Sequence, residues 1–309
     1  MGTQLLKVLF LGLFVALTTG CAANLKPVAT FGAGASALAA TYKPMVSDLE
    51  KTCLARRTEE AIPKTYGEYN YPTTLVVAAT DCKEITDNKK LVQEFAVILD
   101  GYGAGLVELA GLKADALSAD IGAVSGAAGK LKNAGGTALI NKTELDLATK
   151  LATYAVEMLL GHKVKEEARK ELEQGKVALA TTVQAMKVVV NTPYLNELME
   201  LERHLRFMEA RLLAGSNAVQ VQGNDDASFA AMYRAIPMRV LQAQNHERIV
   251  AVTKAKENIT KFNEAADALT AAHAELIVKF DEKTAIEKMP ALLDFIKKVR
   301  DLRDSVQKL

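Results

Sequence analysis

The sequence predicts an all-α protein, an elongated bundle of about five or six long helices. Apolar residues recur at spacings of three and four along most of the 309-residue chain, which is the period of an amphipathic helix. Tryptophan is absent and aromatic residues make up only 6% of the chain, a composition that favours closely packed helices. The chain shows no convincing alternation of apolar and polar residues, the pattern that is typical of a strand.

The first 21 residues have the pattern of an export signal. Lys7 is the only charged residue before an uninterrupted apolar run over residues 8–17, and ten residues are too few to cross a bilayer as a helix. The small residues 18–20 then lead directly into Cys21. A charged start, a short apolar run and a small-residue exit describe a secretory signal peptide.

This segment resembles the lipobox of bacterial lipoproteins, in which small residues precede a cysteine that becomes lipidated. The resemblance implies removal of residues 1–20, lipidation of Cys21 and a tether over residues 21–32. Several acyl chains on one residue make membrane attachment effectively permanent. Ala22 after the cysteine implies the outer membrane, with the protein facing the periplasm. The alternative is an ordinary signal peptide, with Cys21 as a structural thiol.

Two other cysteines, Cys53 and Cys82, remain once Cys21 is lipidated. An even number of cysteines in an exported chain predicts a disulfide. Between them lies the least helical and most aromatic part of the sequence, so residues 63–82 are predicted to form a loop that the disulfide staples to the helices on either side. The alternative is a pair of free buried thiols.

Residues 33–309 are expected to form one elongated helical domain. A capping-box pattern at residues 284–287 marks the start of the last helix, and Pro193 marks the first turn of another. The apolar stripes predict helices over residues 38–53, 91–112, 143–190, 193–212, 227–282 and 284–306.

The longest predicted helix carries a coiled-coil seam. Apolar positions alternate steps of four and three through three heptads, which is the spacing of coiled-coil core residues. The seam consists of Ile259, Phe262, Ala266, Leu269, His273, Leu276 and Phe280.

Small residues are concentrated between positions 101 and 136, which hold nine of the 19 glycines. Ser118, Gly122 and Gly126 recur at every fourth position, and such a row allows two helix backbones to approach closely. Charged residues interrupt this stretch, so its insertion in lipid would be costly. We therefore expect tight helix packing in water.

The sequence contains no recognisable catalytic constellation. His273 occupies a core position of the seam, and we interpret it as a histidine bonded to a neighbour; the alternatives are a metal ligand and a pH-sensitive seam. His204 follows Glu200 by one turn and is a second weak metal candidate. Neither belongs to the Glu-x-x-His motif of di-iron bundles, and no phosphate-binding loop or nucleophile elbow is present. We expect no enzymatic activity and no cofactor.

These observations lead to one functional expectation, a lipid-anchored cell-envelope protein with a non-enzymatic interaction or scaffold role. Without its leader the chain has 37 basic and 37 acidic residues, which argues against nucleic acid as a partner. A protein partner is expected to contact Tyr66, Tyr69 and Tyr71 in the stapled loop, because aromatic residues are common contact anchors. Alternatively, these tyrosines pack on the bundle.

Two other hypotheses remain open. In the first, the bundle opens to remodel a membrane or to form a pore, with residues 101–136 as the mobile element. In the second, a cavity between helices binds a small ligand or a metal, with His273 inside it.

Overall fold

The structure is a computed structural model, and it describes residues 25–61, 70–111, 121–134, 140–160, 168–217, 225–280 and 285–307. All regular structure in these residues is helical, which confirms the predicted all-α class. The α-helices are α1 (Lys26–Ala61), α2 (Tyr71–Asp81), α3 (Lys83–Leu109), α4 (Ile121–Asn133), α5 (Lys142–Leu159), α6 (Ala168–Val189), α7 (Leu195–Asn217), α8 (Asp225–Val278) and α9 (Pro290–Val306).

The bundle is elongated because two of its helices are long. Helix α8 has 54 residues and α1 has 36, which at 1.5 Å per residue correspond to about 80 Å and 54 Å. Helix α1 lies at the centre, where it packs against α3, α7, α8 and α9. Helix α3 extends the core on its other side by packing against α4, α5 and α6.

Helix α1 begins earlier than the sequence predicts. The prediction of a tether over residues 21–32 is wrong from Lys26 onwards, where the helix starts. Phe31 is fully buried and Val28 is nearly so, because α3 and α9 cover this turn of the helix. The rest of the predicted tether, residues 21–24, lies outside the described part of the chain.

Two glycines bring the backbones of α1 and α3 into direct contact. A Cβ atom built on Gly32 would lie 2.4 Å from the carbonyl oxygen of Gly103, and one built on Gly103 would lie 2.4 Å from that of Gly32. Real Cβ atoms essentially never approach so closely, so only glycine fits at either position. Next to this contact, the hydroxyl of Ser36 donates to the carbonyl oxygen of Asp100 at 3.2 Å.

The predicted row of small residues is wrong in its position. Gly122 and Gly126 of α4 are exposed, and a Cβ on Gly126 would meet nothing within 4 Å. Ser118 lies outside the described residues. The face that α4 buries carries Val124, together with Ala127 and Leu131.

Close packing instead involves glycines of α3. A Cβ on Gly101 would lie 2.4 Å from the side chain of Val124 of α4, and one on Gly105 would lie 3.0 Å from Met158 of α5. The predicted tight packing is therefore present, but it lies at the start of the 101–136 stretch.

The single helix predicted over residues 143–190 is wrong. Helix α5 ends at Leu159 and α6 begins at Ala168, and the two pack against each other, which one straight helix could not do. Gly161 follows in the sequence, and glycine is the residue that most often ends a helix. The unbroken apolar period on both sides hides this interruption from a pattern-based prediction.

The helix break predicted at Pro193 is also wrong. The chain continues from α6 into α7 through a π-helical turn, Val190–Tyr194. Proline lacks the N–H of an α-helical hydrogen bond, and a π-bulge accommodates such a residue without ending the helix. The amides of Asn191 and Asn263 exchange two hydrogen bonds of 2.9 Å and 2.7 Å, which tie this turn to α8.

Helix α9 starts differently from the prediction. The capping box predicted at residues 284–287 does not begin it, because α9 starts at Pro290. The free N–H groups of Ala291 and Leu292 donate instead to a carboxylate oxygen of Glu275 on α8, at 2.9 Å and 3.1 Å. A negative charge at a helix N-terminus is stabilising, so α8 caps its neighbour.

The predicted coiled-coil seam of α8 is confirmed. Its six residues from Ile259 to Leu276 are at most 2% exposed, and Phe280 is partly buried against the core. Helix α8 packs against α1, α6, α7 and α9.

We predict that Gly103→Ala destabilises the protein by about 1–3 kcal/mol, the usual cost of overpacking a core, because the added methyl group meets backbone and not a flexible side chain. The matched control is Gly126→Ala, which enters open space on a helix and should stabilise the fold by about 0.5–1 kcal/mol. Urea unfolding followed by circular dichroism measures both. Equal effects of the two substitutions would contradict the backbone contact.

Candidate functional site

Helix α2 is attached to the bundle by a pair of cysteines. The Sγ atoms of Cys53 and Cys82 are 1.96 Å apart, with their Cα atoms at 6.0 Å, so the predicted disulfide pair is at bonding distance. At its other end, the side chain of Asn70 accepts a hydrogen bond from the N–H of Thr73 at 3.1 Å, and Pro72 lies in the first turn. Both features favour the start of a helix.

The prediction of a loop over residues 63–82 is wrong for residues 71–81, which form α2. The Asn-Tyr-Pro sequence is a helix-start signal that the aromatic composition of this segment masked. Residues 62–69 lie outside the described part of the chain, and Tyr66 and Tyr69 with them. Of the three candidate contact tyrosines, the structure therefore describes Tyr71 alone.

Most of the surface of α2 faces solvent. Only Ala78 is buried, whereas four large apolar side chains are exposed, and we call them the α2 patch. Scattered single apolar residues are normal on a protein surface, but a cluster within one short helix is typical of an interaction site. The patch consists of Tyr71 (53% exposed), Leu75 (37%), Val76 (68%) and Val77 (57%).

The α2 patch has a helical arrangement. Tyr71 and Leu75 are four residues apart, so their side chains lie on the same side of the helix, whereas Val76 and Val77 follow Leu75 directly and point in other directions. At the C-terminal end of α2, the guanidinium of Arg57 on α1 lies 3.8 Å from the carboxylate of Asp81. The disulfide and this ion pair thus hold the helix at one end, while the α2 patch remains exposed.

A second notable group of side chains surrounds His273 in the core. His273 is 2% exposed, and its Nε2 is hydrogen-bonded to the hydroxyl of Tyr102 at 2.9 Å. The ring of Phe31 lies 5.4 Å from the imidazole. Burial lowers the pKa of His273 to about 4, and the charge of Lys176 lowers it further. These contacts describe a neutral, hydrogen-bonded core histidine, the interpretation that its seam position favours.

Helix α6 contributes the rest of this core cluster. Burial raises the pKa of Tyr102, and the nearby carboxylate of Glu171 raises it further. Glu171 is 1% exposed. One turn later, a Cβ on Gly175 would lie 2.8 Å from the hydroxyl of Tyr102. The sequence analysis did not single out Glu171. The signal for its burial was its position on the apolar stripe, one turn before Gly175.

The second candidate metal ligand, His204, is not joined to the carboxylate that the sequence suggested. Glu200 forms its ion pair with Arg203. The Nε2 atom of His204 is buried and has no hydrogen-bond partner. In the described part of the chain, no group of three or more His, Cys, Asp or Glu side chains could hold a metal ion.

None of the described helices is both long and apolar enough to span a membrane. No protein-family model matches the chain, and no curated protein or solved structure matches it either.

We predict that His273 makes the fold sensitive to acid. Its pKa is lower in the folded protein, about 4, than the model-peptide value of 6.5, so the unfolded chain takes up the proton first. The titration of His273 therefore leaves the free energy of unfolding unchanged above about pH 6.5. Below that pH it lowers the free energy of unfolding, by about 3 kcal/mol when the pH reaches about 4. His273→Gln, which keeps a partner for Tyr102 without titrating, should remove this loss.

Chemical denaturation between pH 4 and 7.5 measures the effect as the difference between wild type and variant. His246→Gln is the control, because it replaces an exposed histidine of the same helix and retains His273. Parallel stability curves for wild type and His273→Gln would contradict the burial of a neutral imidazole.

Proposed function

We propose that this protein is a lipid-anchored, non-enzymatic scaffold of the cell envelope that offers the α2 patch to a protein partner. The observation that carries the proposal is the exposure of four large apolar side chains on a short helix that a disulfide pair fixes to the bundle. An exposed apolar cluster costs solubility, and its retention on a rigidly held helix is typical of a binding surface.

The position of α2 along the bundle supports a presenting role. Cys53 and Lys26 belong to the same helix, and the 27-residue step between them corresponds to about 40 Å. Lipidation at Cys21 puts the membrane at the Lys26 end, because the five-residue step between them spans at most about 18 Å. The α2 patch then lies at the end of α1 that points away from the anchor, facing the periplasm if the anchor is in the outer membrane.

The chemistry of the patch indicates the kind of partner. A short helix with exposed apolar side chains fits into an apolar groove of another protein, and Tyr71 supplies a large contact area. The near-zero charge of the chain without its leader favours recognition by apolar contact over electrostatic attraction. A disulfide at the base of the helix suits an oxidising compartment such as the periplasm.

The core cluster supports a structural role for its titratable groups. Tyr102, Glu171 and His273 are each at most 2% exposed, so a substrate would need the bundle to open before it could contact them. The close backbone contact between Gly32 of α1 and Gly103 of α3 opposes such an opening. This arrangement favours a scaffold over the pore-forming and ligand-binding hypotheses.

We predict that a photo-crosslinking amino acid at Val76 captures one envelope protein, because Val76 is the most exposed apolar residue of the patch. The matched control position is Val177 of α6, which is 64% exposed against 68% for Val76 and lies outside the patch. Crosslinking in intact cells followed by mass spectrometry measures capture at both positions.

The same capture should respond to the chemistry of the patch. Leu75→Ser combined with Tyr71→Ser should reduce the yield from Val76 at least tenfold, without changing the free energy of unfolding by more than about 0.5 kcal/mol, the usual range for surface positions. Capture that is equal at Val76 and Val177, or that survives the double substitution, would argue against the α2 patch as the contact surface.

We predict that the native protein extracted from membranes has the mass of a chain that starts at acylated Cys21. Reduction should raise that mass by two daltons if Cys53 and Cys82 are bridged. A chain that starts elsewhere without lipid would remove the anchor from the proposal, and an unchanged mass after reduction would remove the bridge.

A further inference from the structure

A groove of about 390 Å³ runs along the contact between α1 and α9. One wall is formed by residues 30–37 of α1, after its first turn, and the other by the C-terminal half of α9. We call it the arginine groove, and its lining residues are Thr30, Ala33, Gly34, Ala37, Ile296, Val299, Arg300 and Arg303.

The floor of the groove is apolar because its helices meet through a glycine. A Cβ on Gly34 would lie 2.6 Å from the ring of Phe295 and 2.8 Å from Ile296, so the two helices approach closely here. Ala33 and Ala37 flank this glycine and fill little space. The small residues of α1 therefore leave a hollow that is bordered by the aliphatic side chains of α9.

The charge at the groove is positive. Arg300 and Arg303 are three residues apart on one side of α9, and both are exposed. Arg300 forms no ion pair with any described residue, and the guanidinium of Arg303 lies 3.7 Å from Asp304. None of the described residues that line the groove carries a carboxylate. Two neighbouring guanidinium groups can donate hydrogen bonds to the oxygen atoms of one phosphate group.

A second groove on α1 shows the opposite character. It has about 350 Å³ and lies against α7 and α8, with Asp48, Lys51 and Arg248 in its lining. There Arg248 is paired with Glu59 at 2.5 Å, and Asp48 accepts a hydrogen bond from Tyr194. Its charges are largely compensated within the protein, whereas Arg300 of the arginine groove has no ion-pair partner among the described residues.

We propose that the arginine groove binds one anionic phospholipid, with the phosphate group on Arg300 and Arg303 and part of an acyl chain along Ala33, Ala37 and Ile296. A free phosphate ion would leave the apolar floor unused, and a zwitterionic lipid would bring a cation of its own next to its phosphate group. The volume is at the lower end of the range for ligand sites, so it fits one chain.

The position of the groove agrees with this ligand. The groove begins at Thr30, one turn after the start of α1, at the end of the helix that the proposed anchor at Cys21 brings to the membrane. This argument of position rests on the proposed function, but the charge and shape of the groove do not. Binding at this site would fix the orientation of the bundle relative to the bilayer.

The test uses the full chain, purified in a non-ionic detergent and mixed with phosphatidylglycerol, with phosphatidylcholine of the same chain length, or with inorganic phosphate. Native mass spectrometry counts the bound molecules. We expect one retained phosphatidylglycerol, several-fold weaker retention of phosphatidylcholine, and no retention of phosphate. Arg300→Ala combined with Arg303→Ala should reduce phosphatidylglycerol retention at least tenfold.

Two further variants make the result specific. Arg203→Ala with Arg239→Ala removes the same charge from exposed positions outside the groove and should leave retention unchanged. Ala33→Phe places a ring in the hollow from an exposed position and should block the lipid while both arginines remain.

The proposal is overturned if the Arg300/Arg303 variant or Ala33→Phe retains phosphatidylglycerol as the wild type does, if phosphatidylcholine binds equally well, or if phosphate alone is retained. The intact mass reports acylation of Cys21 separately in the same spectra. A missing anchor and a missing lipid site are therefore distinct results.

Discussion

The direct contact between the backbones of α1 and α3 is the constraint on which the rest of the bundle depends. Gly32 and Gly103 leave no room for even a methyl group between the two helices, so the helices lie closer together than side-chain packing normally allows. This contact fixes the register of α3 against α1. It also sets the position of Tyr102, next to Gly103, and thus the point at which α6 and α8 can approach.

Around this central pair, a few buried polar contacts join helices that are distant in sequence. Tyr102 and His273 are 171 residues apart, and Arg56 donates two hydrogen bonds to Glu197, 141 residues away. Each of these groups would be costly to bury alone. Apolar stripes tolerate small displacements along a helix, whereas a hydrogen bond does not, so we infer that these contacts select one arrangement among several apolar packings.

The surfaces with candidate functions lie at the two ends of α1, outside this rigid core. The α2 patch is attached near Cys53, and the arginine groove begins at Thr30. Helix α1 is buried among its neighbours over most of its length, so it keeps the distance between the two surfaces fixed. The proposed function would use this division, with one end of α1 at the membrane and the other at a partner.

The sequence by itself determined the helical class, the seam of α8 and the pairing of Cys53 with Cys82, because periodicity and residue chemistry are local properties. Only the tertiary structure decided which glycines touch, that Pro193 is absorbed in a π-turn, and that Glu275 caps α9. These features depend on which helix lies opposite. A stripe specifies which face of a helix is buried, but the neighbour that covers it is chosen by long-range packing, which no local pattern records.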